Sequence, residues 1–144
     1  MSTDLHATAA NRLREDGQRY TTRRRALVEL LNEVDQPLTI PQLMERRPAL
    51  AQSSVYRNLA VLERARVVHR ILTTDEFARY ELAEDLTEHH HHLICETCGD
   101  VTDFTVPPGV ELDLEAALST VAERTGFEVR HHRLDLVGTC PRCT

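Results

Sequence analysis

A chain of 144 residues, 41% hydrophobic but only 4% aromatic and without Trp, has room for one domain, or two small ones sharing a metal, around an aliphatic core. Its net charge of −6 is unevenly spread: residues 1–72 hold 12 Arg against 8 acids, residues 73–144 hold 5 Arg against 15 acids, and there is no Lys. No run of about 18 apolar residues and no signal-type apolar segment is present, so a membrane span is not expected and the chain reads as cytoplasmic. Its four cysteines then point to a metal site or redox centre before structural disulfides. The arginine-rich half suits phosphate and base edges, and the acidic half suits cations.

In chain order, Leu5, Ala9 and Leu13 predict a surface helix over 2–16 with Ser2 or Thr3 as its cap and Gly17 as its stop. A basic run, Arg19-Tyr20-Thr21-Thr22-Arg23-Arg24-Arg25, leads into a helix over 22–34 whose stripe is Leu27, Leu30, Leu31 and Val34. Thr39 caps a short helix over 40–47 with Pro41 in its first turn. Ser53 or Ser54 opens another over 53–65 that buries Val55, Leu59 and Leu62 and turns Tyr56 and Arg57 outward. Two short helices in succession, the second displaying Tyr-Arg, describe a helix-turn-helix. Strand-like segments at 67–72 and 78–82, joined through Thr73-Thr74-Asp75-Glu76, add a wing. The domain boundary is expected at 84–88. Strands near 90–95 and 100–105, a helix over 112–125 capped by Gly126, and a last strand over 128–137 complete an α+β chain.

Chemistry concentrates in His89-His90-His91-His92-Leu93-Ile94-Cys95-Glu96-Thr97-Cys98-Gly99 and in Cys140-Pro141-Arg142-Cys143. Two Cys-x-x-Cys pairs, Cys95 with Cys98 and Cys140 with Cys143, supply four thiolates, enough to close a tetrahedral zinc site with no vacancy. Side chains alternate along a strand, so His90 and His92 share one face while His89 and His91 share the other. One strand can therefore feed two different sites.

With these motifs in hand, the chain resembles the Fur (ferric uptake regulator) family of metal-responsive repressors over nearly its whole length. The likeness rests on Gly17-Gln18-Arg19-Tyr20-Thr21, Ser54-Val55-Tyr56-Arg57-Asn58-Leu59, the His/Cys stretch above, Val129-Arg130-His131-His132-Arg133-Leu134 and the final Cys pair. The resemblance implies a winged-helix DNA-binding domain (1–84), a hinge (85–88) and a metal-binding dimerisation domain (89–144) with structural Zn²⁺ on the four cysteines. It implies a regulatory site of His69, Glu81, His90, His92 and Asp103 taking Zn²⁺ or Fe²⁺, with Mn²⁺ and Ni²⁺ also compatible. A third site would use His89, His91, Glu115 and His132, leaving His131 at the surface. The loop His common among iron- and peroxide-sensing members is missing, its place read as Pro37, and Ala83 stands where zinc sensors often have Cys. A homodimer would grip a double-stranded DNA operator through Arg19, Arg23, Arg24, Ser54, Tyr56 and Arg57, with no small-molecule substrate beyond metal ions. The expected function is thus a metal-dependent repressor controlling zinc or iron homeostasis genes, with an Fe²⁺-dependent peroxide-sensing repressor as the alternative. A zinc hydrolase would want an open metal site, and no His-Glu-x-x-His helix is present. Metal storage or thiol redox chemistry would leave the basic half unexplained.

Overall fold

The computed structural model describes residues 2–73 and 77–144. The first helix, α1 (Ser2–Glu15), buries Leu5, Ala9 and Leu13; the cap expected at Ser2 or Thr3 involves side chains outside those described. Gly17 ends it in the left-handed region, φ 72°, while Gln18 donates its N–H to the Leu13 carbonyl at 2.8 Å. Next, α2 (Thr22–Glu33) buries Leu27, Val28, Leu30 and Leu31. Val34 falls at its C-cap and is only partly covered, so Val28 takes the place expected for it.

A two-residue strand, β1 (Leu38–Thr39), precedes α3 (Ile40–Arg46). Thr39 closes a capping box: its hydroxyl accepts from the Gln42 N–H at 3.3 Å, and its own N–H donates to Gln42 Oε1 at 2.8 Å. The following helix, α4 (Gln52–Arg64), starts behind Ala51 with no side-chain cap. Ser53 and Ser54 therefore sit inside its first turn instead of capping it. Leu59 and Leu62 are completely buried and Val55 nearly so, locking α4 onto α2 and α3.

The wing strands β2 (Val68–Ile71) and β3 (Arg79–Leu82) pair antiparallel, placing His69 opposite Glu81, and β1 adds to the other edge of β3. The connection through Thr74, Asp75 and Glu76 lies outside the described residues. One aliphatic core joins α1 to α4 with this sheet.

A 3-10 turn (Glu84–Leu86) leads to the second sheet. Its middle strand β4 (His91–Cys95) pairs antiparallel with β5 (Val101–Phe104) and parallel with β6 (Asp135–Gly138). Between them runs α5 (Pro108–Thr125), ended by Gly126 at φ 75°. Two expectations are corrected here. The helix begins at Pro108, a full turn before residue 112, because proline is at ease at a helix start. The last strand begins only at Asp135: before it the Leu134 carbonyl accepts from the His92 N–H at 3.2 Å, and residues 127–133 belong to no strand among the described residues.

Candidate metal centres

Among the described residues, three groups of side chains bring ligand atoms within 4.8 Å of one another. All three are built around β4.

The first is Cys95, Cys98, Cys140 and Cys143. Gly99, at φ 81°, turns the chain from β4 toward β5, and its N–H donates to the Cys95 carbonyl at 2.8 Å. The N–H groups of Cys140 (3.3 Å) and Cys98 (3.4 Å) both point at Cys95 Sγ. These two donors draw the Cys95 thiol down to about 5, well below the usual thiol range, so it is poised as a thiolate. Cys98 and Cys140 sulfurs stand 3.8 Å apart, and Arg142 pairs with Asp100, clasping one knuckle to the other. Four converging sulfurs with no other group among them suit a closed, tetrahedral zinc site.

The second group is Glu81, His90, His92 and Asp103. Glu81 comes from the wing strand β3, His92 and Asp103 from the second sheet, and His90 from the position just before β4. Glu81 Oε2 lies 3.1 Å from the Nε2 of both His90 and His92. Asp103 Oδ1 is 3.6 Å from His92 Nε2 and 3.8 Å from His90 Nε2, and it is buried with no hydrogen-bond partner. Cross-strand register sets this up, since His92 faces Asp103 on one side and Asp135 on the other. The outer nitrogens are anchored: His92 Nδ1 meets Asp135 at 3.3 Å and His90 Nδ1 meets the Glu88 carbonyl at 2.9 Å. Both imidazoles thus present Nε2 inward, the arrangement that orients metal ligands. Burial pushes Asp103 up to about 6, a cost that a cation beside it would relieve. An orphaned carboxylate oxygen facing two oriented imidazoles fits a divalent ion with nitrogen and oxygen preferences.

His69 stands opposite Glu81 in the ladder but is not in this converging set. Strand β2 lies one spacing of about 4.8 Å to the side of β3, leaving the ring beside Glu81. Burial, then the charge of Arg133, lowers its pKa from the usual 6.5, and its Nε2 is buried without a hydrogen-bond partner. A cavity of about 440 Å³ opens next to the cluster, and after α2 it is Val34, Asp35 and Gln36, not Pro37, that line it.

The third group is His89, His91, Glu111 and His132. Three Nε2 atoms converge on the Glu111 carboxylate at 2.9, 2.8 and 2.7 Å. The carboxylate is Glu111 and not the expected Glu115. Since α5 starts at Pro108, its first turn meets β4, while Glu115 is one turn further on and exposed.

On the winged-helix side, Arg19, Arg23, Tyr56 and Arg57 are exposed. Arg24 is not free among them: its guanidinium donates to Asn58 Oδ1 at 2.9 Å and to the Arg19 carbonyl at 2.7 Å. Ser54 is buried, 5% exposed, and its hydroxyl accepts from Asn58 at 3.1 Å, which removes it from the outward face.

A winged helix joined to a sheet that gathers a thiolate centre and two His/carboxylate clusters defines a metal-responsive transcriptional regulator. The family model described as the ferric uptake regulator family matches residues 15–137, and the chain belongs to that family. It is 34% identical over 140 residues to the peroxide operon regulator of Bacillus subtilis (strain 168), covering 94% of this chain and 91% of that one. The peroxide-responsive repressor of Staphylococcus aureus (strain USA300) is 29% identical over 135 residues, 91% of this chain and 86% of that one. Among solved structures, the Helicobacter pylori ferric uptake regulator, with three functional metal binding sites, aligns at TM-score 0.71 and 25% identity over 96% of this chain and 93% of its own. The Vibrio cholerae ferric uptake regulator aligns at 0.69 and 25% over 89% and 96%.

Proposed function

We propose that this chain is a cytoplasmic homodimeric repressor whose grip on operator DNA is set by a divalent ion between Glu81 of the wing and His90, His92 and Asp103 of the second half. One observation carries this reading. Glu81 belongs to the winged-helix half and reaches both imidazoles of the other half, within 3.1 Å, so whatever fills that cluster ties the halves across the hinge at 85–88. When bound, the ion supplies a Lewis-acid bridge among those four ligands. The protein's own residues do the rest. Asp135 and the Glu88 carbonyl hold the imidazoles in one tautomer, and Arg24 fixes the loop bearing Arg19 against α4. Tyr56 and Arg57 are offered to the major groove, with Arg19 and Arg23 on the backbone. Fixing two such faces at one separation in a dimer matches successive major grooves, so metal and DNA favour the same conformer. The four cysteines hold structural zinc, and the His89 cluster takes a further ion.

Homodimer formation is supported by α5, which buries no residue in the single chain, and by β6, where every residue is exposed. No helix among the described residues is long and apolar enough to cross a membrane.

The test is metal-dependent DNA binding. Duplexes selected from a random pool would be titrated with protein loaded with Zn²⁺, Mn²⁺ or Fe²⁺, before and after a chelator that spares the tetracysteine zinc. Chelation is expected to weaken binding at least tenfold, about 1.4 kcal/mol. Equal binding in both states would overturn the reading.

A second reading, an Fe²⁺-dependent peroxide sensor, is supported by Asp103 lying inside the cluster and by the names of the relatives above. Peroxide treatment of the Fe²⁺-loaded protein would then add one oxygen atom to His90 or His92, read by peptide mass. Unchanged peptides would leave the simple metal-dependent repressor.

A further inference from the structure

We propose that Glu84, Asp85 and Arg12 relay the occupancy of the His89 cluster to the C-terminal end of α4. This rests on the reading that the His89 cluster holds a metal ion. His89 uses both ring nitrogens: Nε2 faces Glu111 in the cluster, at 2.9 Å, while Nδ1 pairs with the Glu84 carboxylate. Glu84 opens the 3-10 turn between the two sheets. The next residue, Asp85, is gripped by both terminal nitrogens of Arg12 from α1, one of them at 3.2 Å. The same guanidinium donates at 2.6 Å to the carbonyl of Arg66. Arg66 is the residue that turns the chain out of α4, at φ 65°, with the neighbouring Val67 N–H bonded back to Leu62 at 2.9 Å.

These contacts form an unbroken chain from the cluster, through the hinge, to the base of the helix that displays Tyr56 and Arg57. Its chemistry gives it a direction. An ion on His89 Nε2 makes the Nδ1–H a stronger donor and fixes the tautomer that meets Glu84. With Glu84 held, the three-residue turn is held, and Asp85 keeps its fork-to-fork pairing with Arg12, which is geometrically specific. Linkage makes the effect reciprocal: whatever anchors Glu84 also favours the ion. Glu84 and Arg12 act here as positioning residues, and spatial continuity has to be tested as coupling.

The test uses the full chain with zinc on its four cysteines and His90→Ala to disable the Glu81 cluster. Co²⁺ is the probe; its visible bands distinguish nitrogen and oxygen ligands from thiolates, and amide hydrogen exchange reads residues 65–67 and 84–88. Co²⁺ is expected to slow exchange in both segments. Glu84→Ala should weaken Co²⁺ binding by about 10–100-fold and abolish both effects at matched saturation. Arg12→Gln should keep the slowing at 84–88 and abolish it at 65–67, and by the same reciprocity lower Co²⁺ affinity only by the coupling it removes, less than Glu84→Ala does. Asp85→Asn, which cuts the same link from the other side, should behave likewise and stands in if the Arg12 variant fails to fold. Persistent slowing at 65–67 in Arg12→Gln or Asp85→Asn, or unchanged behaviour in Glu84→Ala, overturns the relay. A His90→Ala chain that takes up no Co²⁺ on nitrogen and oxygen ligands overturns the metal reading of the cluster itself.

Discussion

At the level of single residues, Glu111 illustrates how a one-turn difference reassigns a ligand. It lies 2.7–2.9 Å from three imidazole nitrogens, and Glu115, on the same helix, is exposed. Glu111→Ala is therefore expected to lower the number of bound divalent ions by one per chain, and Glu115→Ala to leave it unchanged. Elemental analysis after dialysis distinguishes them; loss of an ion in the Glu115 variant would reverse the assignment. The sorting of His89 and His91 from His90 and His92 was legible beforehand, because strand alternation is a local rule. Glu111 was not, because it depends on where α5 begins, and Pro107-Pro108-Gly109 reads equally as a loop or a helix start. Ser54 departs from its expected outward place for a related reason: sequence placed it near the right element, but a hydrogen bond to Asn58 decided which way it serves.

The Glu81 cluster also makes a pH dependence. Burial opposes charge on His90 and His92, yet the Glu88 carbonyl and Glu81 for His90, and Glu81 and Asp103 for His92, hold both pKa values above 6.5. Burial pushes Glu81 upward, but the two histidines bring it below 4.5. In the metal-free protein the raised His values contribute stability that is full below 6.5 and lost as pH rises through them. The lowered Glu81 contributes stability present above 4.5 and lost as pH falls through its folded value. Protons thus hold the two halves together in mildly acidic solution, and an ion must displace them because it needs neutral imidazoles. Metal binding is expected to release protons from below pH 6.5 up to the raised histidine values, with apparent affinity rising with pH over that window. Calorimetry in buffers of different ionisation enthalpy measures this, and an affinity flat from about pH 6 to 8 would contradict it.

At the level of elements, the winged-helix half divides its arginines into two trades. Arg24 spans α2, α4 and the loop before α2 through Asn58 Oδ1, Gln18 Oε1 at 3.2 Å and the Arg19 carbonyl. Arg23, its neighbour, is exposed. Arg24→Ala is expected to cost about 1–2 kcal/mol in urea unfolding, since it removes hydrogen bonds from a charged group that joins two helices. Arg23→Ala should leave stability within about 0.5 kcal/mol but reduce the slope of log affinity against log salt by about 0.9, one phosphate contact. If both variants lose salt slope equally and neither loses stability, Arg24 is a plain phosphate contact. The helices of this half could be read from periodicity and caps because their stripes face a core within the same chain. The capping box at Thr39 is such a case. The strand expected at 128–137 could not, because alternation reports what a segment can pair with and not whether a partner strand is present.

For the whole molecule, the second half leaves much of its apolar surface exposed in the single chain. Helix α5 has 18 residues and buries none of them. Leu112, Phe127, Val129 and Val137 are each more than half exposed, and Leu118, Val121 and Leu136 lie beside them in sequence with substantial exposure. Soluble single chains rarely leave so many large apolar side chains uncovered. A second copy related by two-fold symmetry covers it most economically, since each patch then meets itself or its neighbour and every contact counts twice. Burying an apolar side chain of this size contributes about 1.5–3 kcal/mol, so Leu118→Arg with Val137→Arg removes about four such burials per dimer and adds four charges to the face. Light scattering is expected to give a mass near 16.4 kDa for the double variant and twice that for the parent chain. Zinc on the four cysteines should survive, because Cys95, Cys98, Cys140 and Cys143 all come from one chain. DNA affinity should fall even with every metal cluster filled, because one winged helix reads one half-site and the separation of two can no longer be fixed. A monomeric parent chain that nonetheless binds DNA in a metal-dependent way would show that the Glu81 cluster acts within one subunit, on the orientation of its own α4, and not on the spacing of a pair.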